Sequence, residues 1–188
     1  MTITGPAITR LILLGFVASL LQLTSASQVS IFGVPMDLSP LIVASVGFLA
    51  GSVPGAVFGF CFGLFADTAL MQTLGVTSLV LTAVGYGAGR VRELRDPAHG
   101  LAPVAVGAAA TAIAALGITL LQFLLGVEAP VSAQVVRQIL MTIVLNTLLA
   151  LPVYAVCRRV LLPFLPDDPR RRRRRAYTTG GLSPLSRA

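Results

Sequence analysis

Charge is what this chain lacks most. Only 11% of its 188 residues are Asp, Glu, Lys or Arg, against about 25% in a soluble domain. Meanwhile 55% are hydrophobic and the mean hydropathy is +0.88. This balance excludes an ordinary soluble domain and leaves an integral membrane protein built as one bundle. Lysine is absent altogether, which with the many alanines and glycines fits a GC-rich coding sequence. There are two cysteines, Cys61 and Cys157, both in apolar runs and without a C-x-x-C pattern. Neither a disulfide framework nor a thiolate metal site is expected. The single histidine, His99, has no second imidazole to join, which removes His-based metal and triad chemistry. No P-loop, G-x-S-x-G or H-E-x-x-H occurs. The run Gly85-Tyr86-Gly87-Ala88-Gly89 fails the dinucleotide fingerprint, because Arg90 stands where the third glycine belongs. It is read instead as loosening the end of a span. No catalytic residue, cofactor or metal is expected, and the chain is read as a non-enzyme.

The charge that is present is unevenly placed. Up to Tyr154, Arg10, Arg90, Arg92, Arg95 and Arg137 balance Asp37, Asp67, Glu93, Asp96 and Glu128. The whole net charge of +7 therefore lies from Arg158 onward. Residues 1–162 read as a single transmembrane helical bundle and 163–188 as a disordered cytoplasmic tail. The tail carries Pro163, Pro166 and Pro169, then Arg170, Arg171, Arg172, Arg173, Arg174 and Arg175. Beside a membrane these arginines point to anionic lipid; nucleic acid is not expected.

A hydrocarbon core of about 30 Å takes roughly 20 apolar residues per helix. On that measure six spans are expected, at 8–24, 34–50, 54–70, 74–89, 101–126 and 136–157. Residues 11–21 followed by Ser25-Ala26-Ser27 could also be a signal peptide. Five further spans favour an ordinary first helix. Short links make spans two to four one antiparallel unit. With six spans, Arg90–Arg95 and the tail share one side, while Asp37 and Glu128 share the other. The positive-inside rule then places both termini in the cytoplasm.

Span three holds the most unusual pattern. Gly51, Gly55, Gly59 and Gly63 recur every fourth residue and run into Asp67, with Gly47 one step earlier. Glycine in a helix costs roughly 1 kcal/mol against alanine, so such a ridge makes sense where another helix comes close. That helix is either internal or a partner's. Asp67 is the carboxylate expected nearest membrane depth, where such groups are usually functional. It is read either as a snorkelling or cap-type carboxylate at the interface or as a buried acceptor, with Thr68, Gln72, Thr77 and Arg137 as candidate donors. Asn146, Thr142 and Thr147 in span six are read as packing devices, and small-residue span five as a buried helix.

These features resemble the MreD family of bacterial rod-shape-determining membrane proteins. The likeness rests on Pro35, Asp37 and Leu38, then Gly51, Gly55, Gly59-Phe60, Gly63-Leu64 and Asp67, then Gly75 and Gly85-Tyr86. Met36 between Pro35 and Asp37, and the arginine tail, depart from the family pattern. The resemblance implies an all-α integral membrane protein similar to the substrate-binding subunits of energy-coupling-factor transporters. It further implies a scaffold of the cell-elongation complex supporting peptidoglycan synthesis. The implied partners are an MreC-like membrane protein and, indirectly, the MreB filament and a RodA-type glycosyltransferase with its transpeptidase. The rival is a vitamin uptake subunit, which needs polar groups converging on a pocket; this chain offers few.

Overall fold

The structure is a computed structural model describing residues 9, 13–19, 30–31, 34–35, 37–94, 102–126 and 133–161. The possible cleavage site at 25–27, His99, Glu128 and the tail with Arg170–Arg175 lie outside the described residues. Among the described residues six helices are seen: α1 (13–19), α2 (Ser39–Ala50), α3 (Ser52–Ala69), α4 (Val76–Leu94), α5 (Ala102–Leu124) and α6 (Ala133–Leu161). Two short strands, β1 (Ser30–Ile31) and β2 (Val34–Pro35), pair antiparallel, with Ser30 opposite Pro35. Among the described residues, the helical stretches Ser52–Ala69, Ala102–Leu124 and Val136–Leu161 are long and apolar enough to cross a membrane.

α2 is the centre of the molecule. Every one of its residues is buried, with Leu41, Val43 and Val46 at most 1% exposed. The α3–α4 hairpin packs on one side of it, and the α5–α6 pair closes the other. Phe48 of α2 meets Tyr154 of α6 edge to face at 6.0 Å. α1 rests on α3 where Gly15 admits the Phe58 ring.

Several expectations need correction. Span two, expected from residue 34, is helical only from Ser39, because Val34–Pro35 pairs as β2. The Asp37 carboxylate accepts the Ser39 amide at 3.0 Å, and Pro40 in the first turn has no amide to leave unpaired. The resulting helix rises about 18 Å, well short of a hydrocarbon core. α4 continues to Leu94, past the expected end at 89. α5 is not buried all round: Gly107, Ala110, Thr111 and Ala114 face inward, while Ile113, Leu116 and Leu120 are exposed.

Candidate functional site

The glycine ridge of α3 lies backbone to backbone against α4. Going along the antiparallel pair, Ser52 meets Gly89, Gly55 meets Gly85, Gly59 meets Leu81 and Gly63 meets Ser78. A Cβ at Gly55, Gly59, Gly63, Gly85 or Gly89 would come within 3.0 Å of the opposite backbone. Gly47 of α2 also faces the Gly85 carbonyl, so three helices converge at Gly47, Gly55 and Gly85. Such approach supports dispersion and weak Cα–H···O contacts that larger residues would prevent. The Ser78 hydroxyl adds a cross-helix hydrogen bond to the Phe60 carbonyl at 3.0 Å.

Two members of the sequence pattern take other roles. Gly51 is not on the ridge; it is the joint between α2 and α3, at φ 109, a left-handed conformation that favours glycine. Ser52 takes the ridge position instead. Gly85 and Gly89 do not loosen a helix end; they are the seats for Gly55 and Ser52.

Each end of the hairpin is held by a carboxylate. At the α3–α4 turn, Asp67 is 1% exposed and its Oδ2 accepts the Gly75 amide at 2.8 Å, capping the start of α4. Its main-chain carbonyl accepts the Gln72 amide at 2.9 Å. Among the described residues the donor is thus a backbone amide rather than Thr68, Gln72, Thr77 or Arg137 side chains, and Oδ1 has no partner. Thr68 bonds back to the Leu64 and Phe65 carbonyls.

At the opposite end, Glu93 Oε1 accepts both the Ser52 amide, at 3.1 Å, and the Ser52 hydroxyl, at 2.7 Å. Next to it the Arg92 guanidinium donates to the Leu49 carbonyl in the last turn of α2. A cation thus meets the carbonyl end of α2 and an anion the amide end of α3, each matched to the helix dipole. The Ser52 hydroxyl, and then its amide, hold the Glu93 carboxyl below its ordinary value; burial opposes this and Arg90 assists. Arg90 pairs with Glu93 at 3.4 Å and lies over the Tyr86 ring at 5.9 Å. In the sequence, Arg90–Arg95 spoke only to orientation. The adjacent opposite charges Arg92-Glu93, following a link too tight to cap itself, were the available signal.

A third polar group joins α6 to the rest. Asn146, 1% exposed, donates to the Asp37 main-chain carbonyl at 2.7 Å and to the Thr111 hydroxyl at 3.2 Å. Its Oδ1 has no partner among the described residues. Thr142 and Thr147 instead bond back within α6. Asn146 lies near the middle of α6, so the start of α2 is tied at about half the height of the bundle.

Nothing in this geometry is a catalytic constellation; it is a device for bringing backbones together. No curated protein and no solved structure matches the chain. The family model for the rod shape-determining protein MreD does match, over residues 3–160. With most of its length covered, the chain belongs to the MreD family of rod shape-determining membrane proteins.

Proposed function

We propose that the protein is a non-enzymatic membrane scaffold of the bacterial cell-elongation complex. It spans the plasma membrane six times with both termini in the cytoplasm, in an architecture like that of energy-coupling-factor substrate-binding subunits. The observation that carries the scaffold reading is the self-sealed α3–α4 hairpin. With Gly55, Gly59 and Gly63 filled by α4, and with Asp67 and Glu93 holding the ends, α3 becomes a rigid rod. Its opposite face presents Val53, Val57, Phe60 and Leu64, all at least 40% exposed. This face is the contact for the transmembrane helix of an MreC-like partner. Through that partner the scaffold reaches the MreB filament and the RodA-type glycosyltransferase with its transpeptidase. The arginines Arg170–Arg175 engage anionic lipid. The family match lends the vitamin uptake reading no support.

The test is photocrosslinking in rod-shaped cells. A photoreactive residue at Phe60 should capture a single-span membrane protein, and one at Leu116 on α5 should not. Capture from Leu116 alone would move the contact off α3. Cells in which this chain is depleted should lose rod shape, and unchanged shape would remove the elongation role.

A further inference from the structure

The central helix fills only part of the bundle's height. From the joint at Gly51, the 12 residues of α2 rise about 18 Å. A second length agrees with the first. Tyr154 of α6 packs on Phe48 near the end of α2, and Asn146 of α6 bonds the Asp37 carbonyl at its start. From Asn146 to the exposed Arg158, α6 also rises about 18 Å. A hydrocarbon core of about 30 Å therefore leaves about 12 Å beyond the start of α2.

What stands at that depth does not suit hydrocarbon. Asp37 is only half-buried, its carboxylate accepting the Ser39 amide. Asn146 is 1% exposed, yet its Oδ1 has no partner among the described residues. β2 ends two residues before Asp37, so extended backbone lies there too. Such backbone persists at membrane depth only under protein or beside water, and a carboxylate there faces the interior or a water-filled cavity. Protein cover from α5 and α6 is thin beyond this level. Among the described residues, none from 115 to 126 or from 136 to 145 is buried. Helical spacing sets Gln122 in line with Thr111 and the core-packed Ile118, and Thr142 one turn beyond Asn146. Both Gln122 and Thr142 are half-buried.

Building on the six-span topology proposed above, we infer that a water-filled vestibule enters the bundle from the outer face between α5 and α6 and ends at Asp37 and Asn146, where it takes small cations. The Asp37 carboxylate and Asn146 Oδ1 are both acceptors, so the floor attracts hydrogen-bond donors and positive charge and repels anions. Two such groups are too few to orient an organic ligand, which needs several polar groups converging on it. Water supplies the donor that Oδ1 lacks, as buried water does for orphaned polar atoms.

The test uses the full chain with Cys61→Ser and single added cysteines in spheroplasts; Cys157, 3% exposed, stays in place. Two membrane-impermeant methanethiosulfonates are applied, one carrying trimethylammonium and one sulfonate, with rates taken relative to a free thiol. Thr142→Cys and Gln122→Cys should react, because a thiol ionises in water and not in hydrocarbon. Val144→Cys, at similar depth but 64% exposed on the outward face, should not. The cationic reagent should be favoured at Thr142→Cys by about tenfold or more. Asp37→Asn, which keeps an acceptor for the Ser39 amide, should remove that preference. Silence at both Thr142→Cys and Gln122→Cys, or equal reaction at Val144→Cys, overturns the vestibule. Equal rates for the two reagents, or a preference that survives Asp37→Asn, overturn the cation site. Gln138→Cys, exposed nearer the end of α6, reports orientation separately. If it labels only after lysis, the six-span orientation fails, and Thr142→Cys is then scored from that opened side.

Discussion

Met71 closes α3 at φ 50 with its side chain 95% exposed. The amides of Met71 and Gln72 return to the carbonyls of Thr68 and Asp67, which is a Schellman turn with a non-glycine at its left-handed position. A residue with a Cβ costs about 1 kcal/mol there relative to glycine, and Met71 offers no packing to offset it. Met71→Gly should therefore raise stability by about 0.5–1 kcal/mol, read as a higher thermal midpoint in detergent. A lower midpoint would show that the methionine side chain is engaged. Asp67, four residues earlier, acts through its acceptor oxygen. Asp67→Asn keeps an acceptor for the Gly75 amide and should stay near wild type, whereas Asp67→Ala should lose about 1–3 kcal/mol and accumulate poorly in the membrane. Equal stability of the two variants would show that the cap is dispensable.

Between elements, what matters is how closely backbones approach. Gly59 faces the Leu81 carbonyl, and a methyl there has nowhere to go without parting the helices. Gly87, on the same hairpin, has nothing within 4 Å of the place a methyl would take. Gly59→Ala should thus destabilise by about 1–3 kcal/mol, while Gly87→Ala should be neutral or stabilise by up to about 1 kcal/mol. Similar midpoints for both would mean the hairpin yields easily. The ladder spacing was readable in sequence, but its partner was not, because antiparallel register between two helices depends on the turn that joins them. Gly51 fell in the same spacing of four although the helix breaks there, since spacing does not report φ. The Glu93 grip on Ser52 spans 41 residues, so the adjacent charges Arg92-Glu93 were visible but their partner was not. It does predict a pH dependence. A carboxyl held below its ordinary value stabilises the fold above that value, and this contribution is lost as pH falls through the lowered one. The stability gap between wild type and Glu93→Ala should therefore narrow as pH drops from about 7 toward about 3. A gap constant across that range would assign the loss to packing.

For the whole molecule, the apolar runs of α3, α5 and α6 were legible because length and composition alone identify a spanning helix. The half-length of α2 was not: Val34 and Pro35 are as compatible with a helix entrance as with a strand. What composition showed best is the division of charge, with opposite signs balanced up to Tyr154 and all of the +7 from Arg158 onward. If the tail engages anionic lipid, as proposed above, the strength of its hold depends on its surroundings. Each arginine near an anionic leaflet contributes roughly 1 kcal/mol, and screening shortens the reach of that attraction from about 8 Å at physiological salt to about 3 Å at 1 M. A peptide of residues 163–188 should therefore bind vesicles containing phosphatidylglycerol and release them as salt rises. Replacing Arg170–Arg175 by glutamine should abolish the binding at every salt concentration. Equal binding to neutral vesicles, or binding indifferent to salt, would mean that the tail recognises something other than membrane charge.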